Sequence, residues 1–299
     1  MINNNSPFFS IIIPTYNREV HLSATLDAIS VQTFIDYEVI IIDDGGTDDT
    51  ENRIRTRHDP RLKFIKTSNR ERGAARNEGV NHAKGRYVTF LDSDDIPYPD
   101  LLENAYSSIF KFNEAPFVHI AYEIKEPNGK INYRYDFLRS DDKKILVEGN
   151  PLSCIGAFIR KDIALLHRFN EDRALSGSED WELWLRIVAH HGIKINNTIS
   201  AAMINHAFRS VKQTDPEKLY KRKELALKYS FADEKVQAVY GSSMQKIEAF
   251  ADSYISLHLA LSGYRKHAIA YLFRSILGYP LILLNRRPLV IIKRIIIGR

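Results

Sequence analysis

Tyr37-Glu38-Val39-Ile40-Ile41-Ile42-Asp43-Asp44-Gly45-Gly46 decides how this chain is read: a strand-forming apolar run, then two carboxylates, then two glycines. A run of this kind without polar alternation fits a strand covered on both faces, as in parallel sheets. The same arrangement recurs on either side. Phe9-Ser10-Ile11-Ile12-Ile13 is closed by Pro14, Leu62 to Lys66 is a third run, and Tyr87-Val88-Thr89-Phe90-Leu91 ends in Asp92-Ser93-Asp94-Asp95. Helical patterns lie between them: Leu22, Leu26 and Ile29 within 20–31, a short helix over 48–57, and an alanine-bearing stretch over 74–84. The alternation predicts a β-α-β-α-β-α-β half of a doubly wound α/β sheet, which binds ligands at the carboxyl ends of its strands. Strands one, two and four end in Thr15-Tyr16-Asn17, Asp43-Asp44 and Asp92-Ser93-Asp94. Parallel strands carry all three clusters to one edge.

Beyond residue 115 the pattern changes. Phe117 to Ile124 and Lys130 to Tyr135 read as a strand pair around the turn Pro127-Asn128-Gly129. Residues 136–150 read as a polar loop and Ile155 to Arg160 as a strand. Ser176-Gly177-Ser178 precedes a helix from Glu179 to His190, with acids in its first turn and histidines at its end, in accord with the helix dipole. From Pro216 the chain reads as helical.

The 299 residues are 44% hydrophobic and 26% charged, a globular composition. A single cysteine, Cys154, excludes a disulfide scaffold and a cysteine-rich metal site. Met1 to Pro7 has neither the basic region nor the apolar run of a secretory signal, and the two absences together predict a cytoplasmic protein. The net charge is +5, unevenly spread. Residues 253–299 hold eight of the 42 bases and none of the 37 acids, which leaves residues 1–252 at −3. An acidic-leaning body with a basic, apolar tail is not the footprint of a nucleic-acid binder. It reads as an enzyme body with a surface-seeking appendage.

Each polar cluster has a chemical and a plain reading. Asp92-Ser93-Asp94 can direct carboxylate oxygens at a hard cation such as Mg²⁺ or Mn²⁺, whose shell a diphosphate completes; an isolated pair of this kind also suits a solvated turn capping the helix that starts near Pro99. Asp44 can accept from a base or a ribose, or one of Thr47 and Asp48 can cap the following helix. Tyr16 offers a flat face. Glu179-Asp180-Trp181 opens a helix where carboxylates serve as dipole partners or, walled by Trp181 and Trp184, as a general base. Trp184, Leu185 and Val188 equally fit the helix's buried stripe. Arg72, and the pair His206 and Arg209, suit phosphate oxygens or plain surface charge.

Together the motifs resemble the inverting family 2 glycosyltransferases of the GT-A fold. The matching stretches are Phe9 to Arg18, Val39 to Thr50, Gly73-Ala-Ala-Arg-Asn77, Leu91 to Asp95 and Ser178-Glu-Asp-Trp-Glu-Leu-Trp184, over roughly residues 8–210. The resemblance implies a Rossmann-like, mixed but mainly parallel sheet flanked by helices. A catalytic domain would cover 1–212, with a nucleotide-binding half 8–115 and an acceptor half 116–212, and a helical region 213–299 would end in the basic amphipathic tail. It implies sugar transfer, with inversion, from a nucleotide-diphosphate donor, UDP-linked by preference, to a hydroxyl of a glycan or lipid-linked acceptor, as in cell-surface polysaccharide synthesis. Pro14, Thr15, Tyr16 and Asp44 would hold the nucleoside, with Asp44 on the base. Arg72 would contact the diphosphate, Asp92 and Ser93 would sit at the ribose or metal, and Asp94 would ligate Mn²⁺ or Mg²⁺. Asp180 would be the general base, with Glu179, Trp181, His206 and Arg209 near diphosphate or acceptor. Gly46 stands where the family usually has serine, and His206 and Arg209 match the later family pattern only loosely.

Two rivals fit less well. A sugar nucleotidyltransferase calls for a glycine-rich basic loop after strand one, which Pro14-Thr15-Tyr16-Asn17 lacks; a nucleotide-sugar-binding module without turnover would not need both carboxylate sites. In the tail, the longest uncharged run, Ser275 to Asn285, is 11 residues. That is well short of the ~20 a spanning helix needs. The tail therefore fits either an interfacial helix on an anionic membrane, peripheral on its cytoplasmic face, or a helix packed on the body or at a homodimer surface.

Overall fold

The computed structural model describes residues 6–135, 143–206 and 215–297. The chain clusters into two compact units, one of residues 1–142, 152–173 and 191–206, the other of 143–151, 174–190 and 207–299.

The first unit is built on β1 (Phe9–Thr15), α1 (Glu19–Ser30), β2 (Tyr37–Asp43), α2 (Thr50–Arg55), β3 (Leu62–Lys66), α3 (Glu71–His82) and β4 (Tyr87–Phe90). It continues through β5 (Ile96–Pro97), α4 (Leu101–Lys111), β6 (Phe117–Ile120), β7 (Glu123–Lys125), β8 (Ile131–Arg134), β9 (Ala157–Arg160), α5 (Lys161–Leu166), β10 (Lys194–Asn196) and β11 (Ala201–Ile204). Seven strands form one sheet in the order β10-β6-β9-β4-β1-β2-β3, and four form a second, β5-β11-β7-β8. Strands β4, β1, β2 and β3 are mutually parallel, β9 runs against β4 and β6, and β10 is parallel to β6. The sheet is mixed and mainly parallel, as expected. Every residue of β2 is buried, and β1 is nearly so, which is why neither run alternates.

Glu38 places a charge inside that core. Glu38 of β2 accepts from Ser10 Oγ at 2.6 Å and from Lys63 Nζ and the Lys84 N–H at 2.5 Å each. Burial pushes its carboxyl up, and these three donors outweigh burial and hold it below its ordinary value.

The stretch Phe117 to Ile124, expected as one strand, is two. Phe117 to Ile120 is buried throughout and joins the large sheet as β6. Ala121 still bonds to Asn196, but the Tyr122 carbonyl already accepts from Tyr135, so the backbone changes partners there and β7 enters the small sheet. The run expected as a strand from Ile155 begins as a tight turn, Cys154–Gly156, and only then becomes β9. The helix expected over 48–57 is confined to α2.

His119 of β6 is fully buried, its Nε2 at 3.2 Å from the Ser153 carbonyl. Burial pushes its pKa from 6.5 down to about 3, against a smaller upward pull from that carbonyl. The folded chain thus refuses a proton that the unfolded chain takes below pH 6.5. Stability is expected to fall by about 1.4 kcal/mol per pH unit from pH 6.5 toward the folded value. Urea unfolding at pH 7 and pH 5 checks this: the wild type should lose more than His119→Asn, and equal losses would show that another group is responsible.

The second unit holds α6 (Glu179–His191), α7 (Pro216–Ser230), α8 (Glu234–Tyr240), α9 (Met244–Leu261), α10 (Arg265–Gly278) and α11 (Arg286–Ile297). Asp215 and Asp233 cap α7 and α8, each accepting two backbone N–H groups. Of the expected polar loop 136–150, residues 143–150 are described. They include a tight turn, Lys143–Leu146, that buries Leu146 together with Val147, so this part is an anchored segment and not a polar loop. A core of Leu219, Ile255, Leu259, Ala260 and Ala268 joins α7, α9 and α10, and inside it Lys223 donates to Asp252 at 2.9 Å.

Candidate active site

The carboxyl ends of β1, β2 and β4 meet because the strands are adjacent and in register. Thr15 lies opposite Asp43, and Ile12 opposite Phe90. The loops that follow are tied to one another. Asn17 Oδ1 accepts from the Thr47 N–H at 2.7 Å, Asp48 Oδ2 accepts from the Glu19 N–H at 3.0 Å, and Glu19 Oε2 accepts in return from the Asp49 N–H at 3.1 Å. Two helix starts, α1 and α2, thereby satisfy each other's amides. Gly45 turns the chain at φ +81°, where a Cβ would stand 2.9 Å from the Asn69 nitrogen.

Asp44 reaches across to a third loop. Its two oxygens accept the Arg70 and Glu71 N–H groups, both at 2.8 Å, at the start of α3. Burial raises its carboxyl above the ordinary value, and those amides pull the other way. A carboxylate has about four lone-pair directions, so two bonds do not exhaust it. Asp43 ties the loop to β3: Oδ1 accepts from the Gly46 N–H at 2.8 Å and Oδ2 faces Lys66 Nζ at 3.6 Å. The Thr15 hydroxyl is buried with no hydrogen-bond partner among the described residues. Pro14 is half-buried in β1, Tyr16 is 50% exposed at the rim, Ser93 is buried, and Arg72 is half-buried in the first turn of α3.

After β4 come the acids. Asp92, Asp94 and Asp95 bring one carboxylate oxygen each within 4.8 Å of the others. Arg76 Nη2 donates to Asp92 Oδ1 at 2.7 Å; this arginine is almost wholly buried and lies 5.1 Å above the Phe169 ring. From the described residues Asp94 receives two bonds on one oxygen: Arg18 Nη1 at 2.8 Å and His206 Nε2 at 2.7 Å both meet Oδ2. His206 stacks on His21 with ring centres 5.1 Å apart. Burial, the neighbouring His206 and then Arg18 push the His21 pKa down, with Asp94 pulling it up. Oxygen donors backed by an imidazole suit a hard divalent cation, and the residues present fit one.

In the second unit, Ser176-Gly177-Ser178 turns into α6 with Gly177 at φ +95°. Glu179 is buried and its Oε2 accepts from the Gly177 N–H at 2.5 Å. Asp180 is half-buried in the first turn, with Oδ2 accepting from Asn150 Nδ2 at 3.0 Å and Oδ1 from the Trp181 N–H at 2.8 Å. Trp184 is fully buried with Leu185 and Val188, which makes it core and not a pocket wall. Trp181 is also buried, and its Nε1 has no partner among the described residues. Arg209 lies outside the described residues. Arg18, His21, Arg76 and Asp95 were given no role from the sequence, although Arg18, Arg76 and Asp95 fall inside three of the motifs quoted above.

A model of the family described as "Glycosyl transferase family 2" matches residues 10–164, more than half of the chain. The chain belongs to glycosyl transferase family 2. Among this family 2 chain's relatives is the UDP-Glc:alpha-D-GlcNAc-diphosphoundecaprenol beta-1,3-glucosyltransferase WfgD of Escherichia coli, 28% identical over 264 residues, 88% of this chain and 96% of that one. An uncharacterized glycosyltransferase of Rickettsia bellii is 27% identical over 249 residues, 81% of this chain; the match spans only 34% of that relative's length. The structure of Staphylococcus aureus TarS 1–349 in complex with UDP superposes with a TM-score of 0.65 at 20% identity, over 96% of this chain and 88% of that one. This likeness shows that the family 2 chain has the GT-A fold of such transferases.

Proposed function

We propose that the chain transfers a sugar, with inversion, from a UDP-linked donor to a hydroxyl of a lipid-linked glycan at the cytoplasmic face of a membrane, and that it needs a divalent metal. The observation that carries this reading is the single rim at which Thr15, Asp44, Asp92 and Asp94 meet. The diphosphoundecaprenol in the name of the Escherichia coli relative supports the acceptor class. The catalytic domain in this reading is 1–212, with 213–299 as its helical appendage.

Pro14, Thr15 and Tyr16 receive the nucleoside, and the buried Thr15 hydroxyl gains from a ligand the partner it lacks among the described residues. Asp44 uses its remaining lone pairs on a base N–H. Asp94 holds Mn²⁺ or Mg²⁺, with Asp92 and Ser93 at the ribose or metal, Arg72 on the diphosphate, and His206 at the diphosphate or acceptor beside Asp94. The metal, when bound, neutralises charge that builds on the departing diphosphate. Arg76 is a positioning residue: its buried guanidinium fixes the Asp92 carboxylate. Asp180 takes the proton from the acceptor hydroxyl as that oxygen bonds to the anomeric carbon and the bond to the diphosphate breaks; Asn150 holds the carboxylate in orientation. Glu179 and Trp181 line the acceptor end of this scheme, with Arg209 assigned to the diphosphate.

A thermal-shift screen of UDP-sugars with Mn²⁺ or Mg²⁺, followed by assay of UDP release, tests the reading. A donor at 100 times its Kd should stabilise the fold by about 2.7 kcal/mol. Binding without metal-dependent UDP release would leave a nucleotide-sugar-binding module; no UDP-sugar binding at all would remove the reading.

A further inference from the structure

We propose that the outer surface of the C-terminal helices docks on an anionic lipid bilayer. α10 turns Ala268, Leu272 and Ser275 inward. Ile269, Phe273 and Leu277, spaced four apart on one face, are nonetheless 41%, 61% and 80% exposed. The turn after α10 leaves Leu284 85% exposed. α11 buries Pro288 and Ile291 while Leu289 and Ile296 stand exposed. A helix that is apolar on both sides is ordinarily covered on both. Among the described residues only one side is.

Charge selects the occupant. The sequence has no acid after Asp252. Arg265, Lys266, Arg286 and Lys293 are exposed and make no ion pair with a described residue. A second copy docking through the same patch would set bases against bases. Anionic headgroups complement them, and the apolar stripe beneath suits the acyl boundary. No helix among the described residues is long and apolar enough to cross a membrane, so the contact is interfacial.

Flotation of the full-length chain with vesicles of phosphatidylcholine, with and without phosphatidylglycerol, is the test. The wild type is expected to float with the anionic vesicles only, and less as salt rises. The pair Phe273→Glu and Leu277→Glu, and separately Arg286→Glu with Lys293→Glu, should each weaken binding about tenfold or more. All four positions are exposed, so thermal unfolding should be unchanged; if the first pair fails to fold, the second carries the same test. The proposal is overturned if the wild type does not float, if it floats equally on neutral vesicles, or if both folded variants bind like the wild type. It is also overturned if the wild type ignores vesicles and sediments as a dimer that Phe273→Glu with Leu277→Glu makes monomeric. The assay uses neither donor nor acceptor, so its failure leaves the transfer reading standing.

Discussion

Asp94→Ala is expected to lower transfer by about 10²-fold or more, the scale for losing electrostatic help at a leaving group. Arg18 and His206 both donate to Oδ2 of this carboxylate. The alanine variant removes the anion between them and leaves two donors and a stacked His21 facing each other. Binding of Mn²⁺ should weaken in step with turnover, measured by titrating the metal into the assay. Thermal stability is the control, because a variant that has merely unfolded loses UDP binding as well. Wild-type turnover in Asp94→Ala would withdraw the metal role from this residue.

Asp180→Asn should cost a similar factor in kcat through a different route. The amide has nearly the same shape and keeps one of the two acceptors that meet Asn150 and the Trp181 N–H, so thermal unfolding of the variant is the control. What it loses is the capacity to take a proton at neutral pH. Stabilisation by UDP should therefore remain while turnover drops about 10²-fold or more. A variant that keeps full turnover would exclude Asp180 as the base, and one that loses UDP stabilisation would make it a binding residue.

The strands that place the rim were legible because burial on both faces writes a run with no alternation: β1, β2 and β4 stand where the apolar stretches end in polar residues. The start of α6 was legible from Ser-Gly-Ser and the acids behind it. The division at Ala121-Tyr122 was not, since a strand leaving one sheet for another keeps its extended backbone and its apolar residues; only the partner changes. Three-residue β10 is too short to show any period. Arg76 reads locally as the polar face of an alanine-rich helix, and its role depends on Asp92 and Phe169, which reach it through the fold. The same holds for Arg18 and His21, which are defined by His206 and Asp94 far along the chain. Local pattern reveals which backbone ends are polar. It does not reveal which cation meets which carboxylate.

The loops after β1 and β2 share amides and side chains at Asn17–Thr47, Asp48–Glu19 and Glu19–Asp49, and Asp44 fastens the second of them to the start of α3. Recombination should treat these three segments as a single inheritable block. A chimera that imports one of them from a cousin with another sugar preference strands half of each clasp, whereas a graft carrying 15–20, 43–50 and 69–72 together brings its own fastenings.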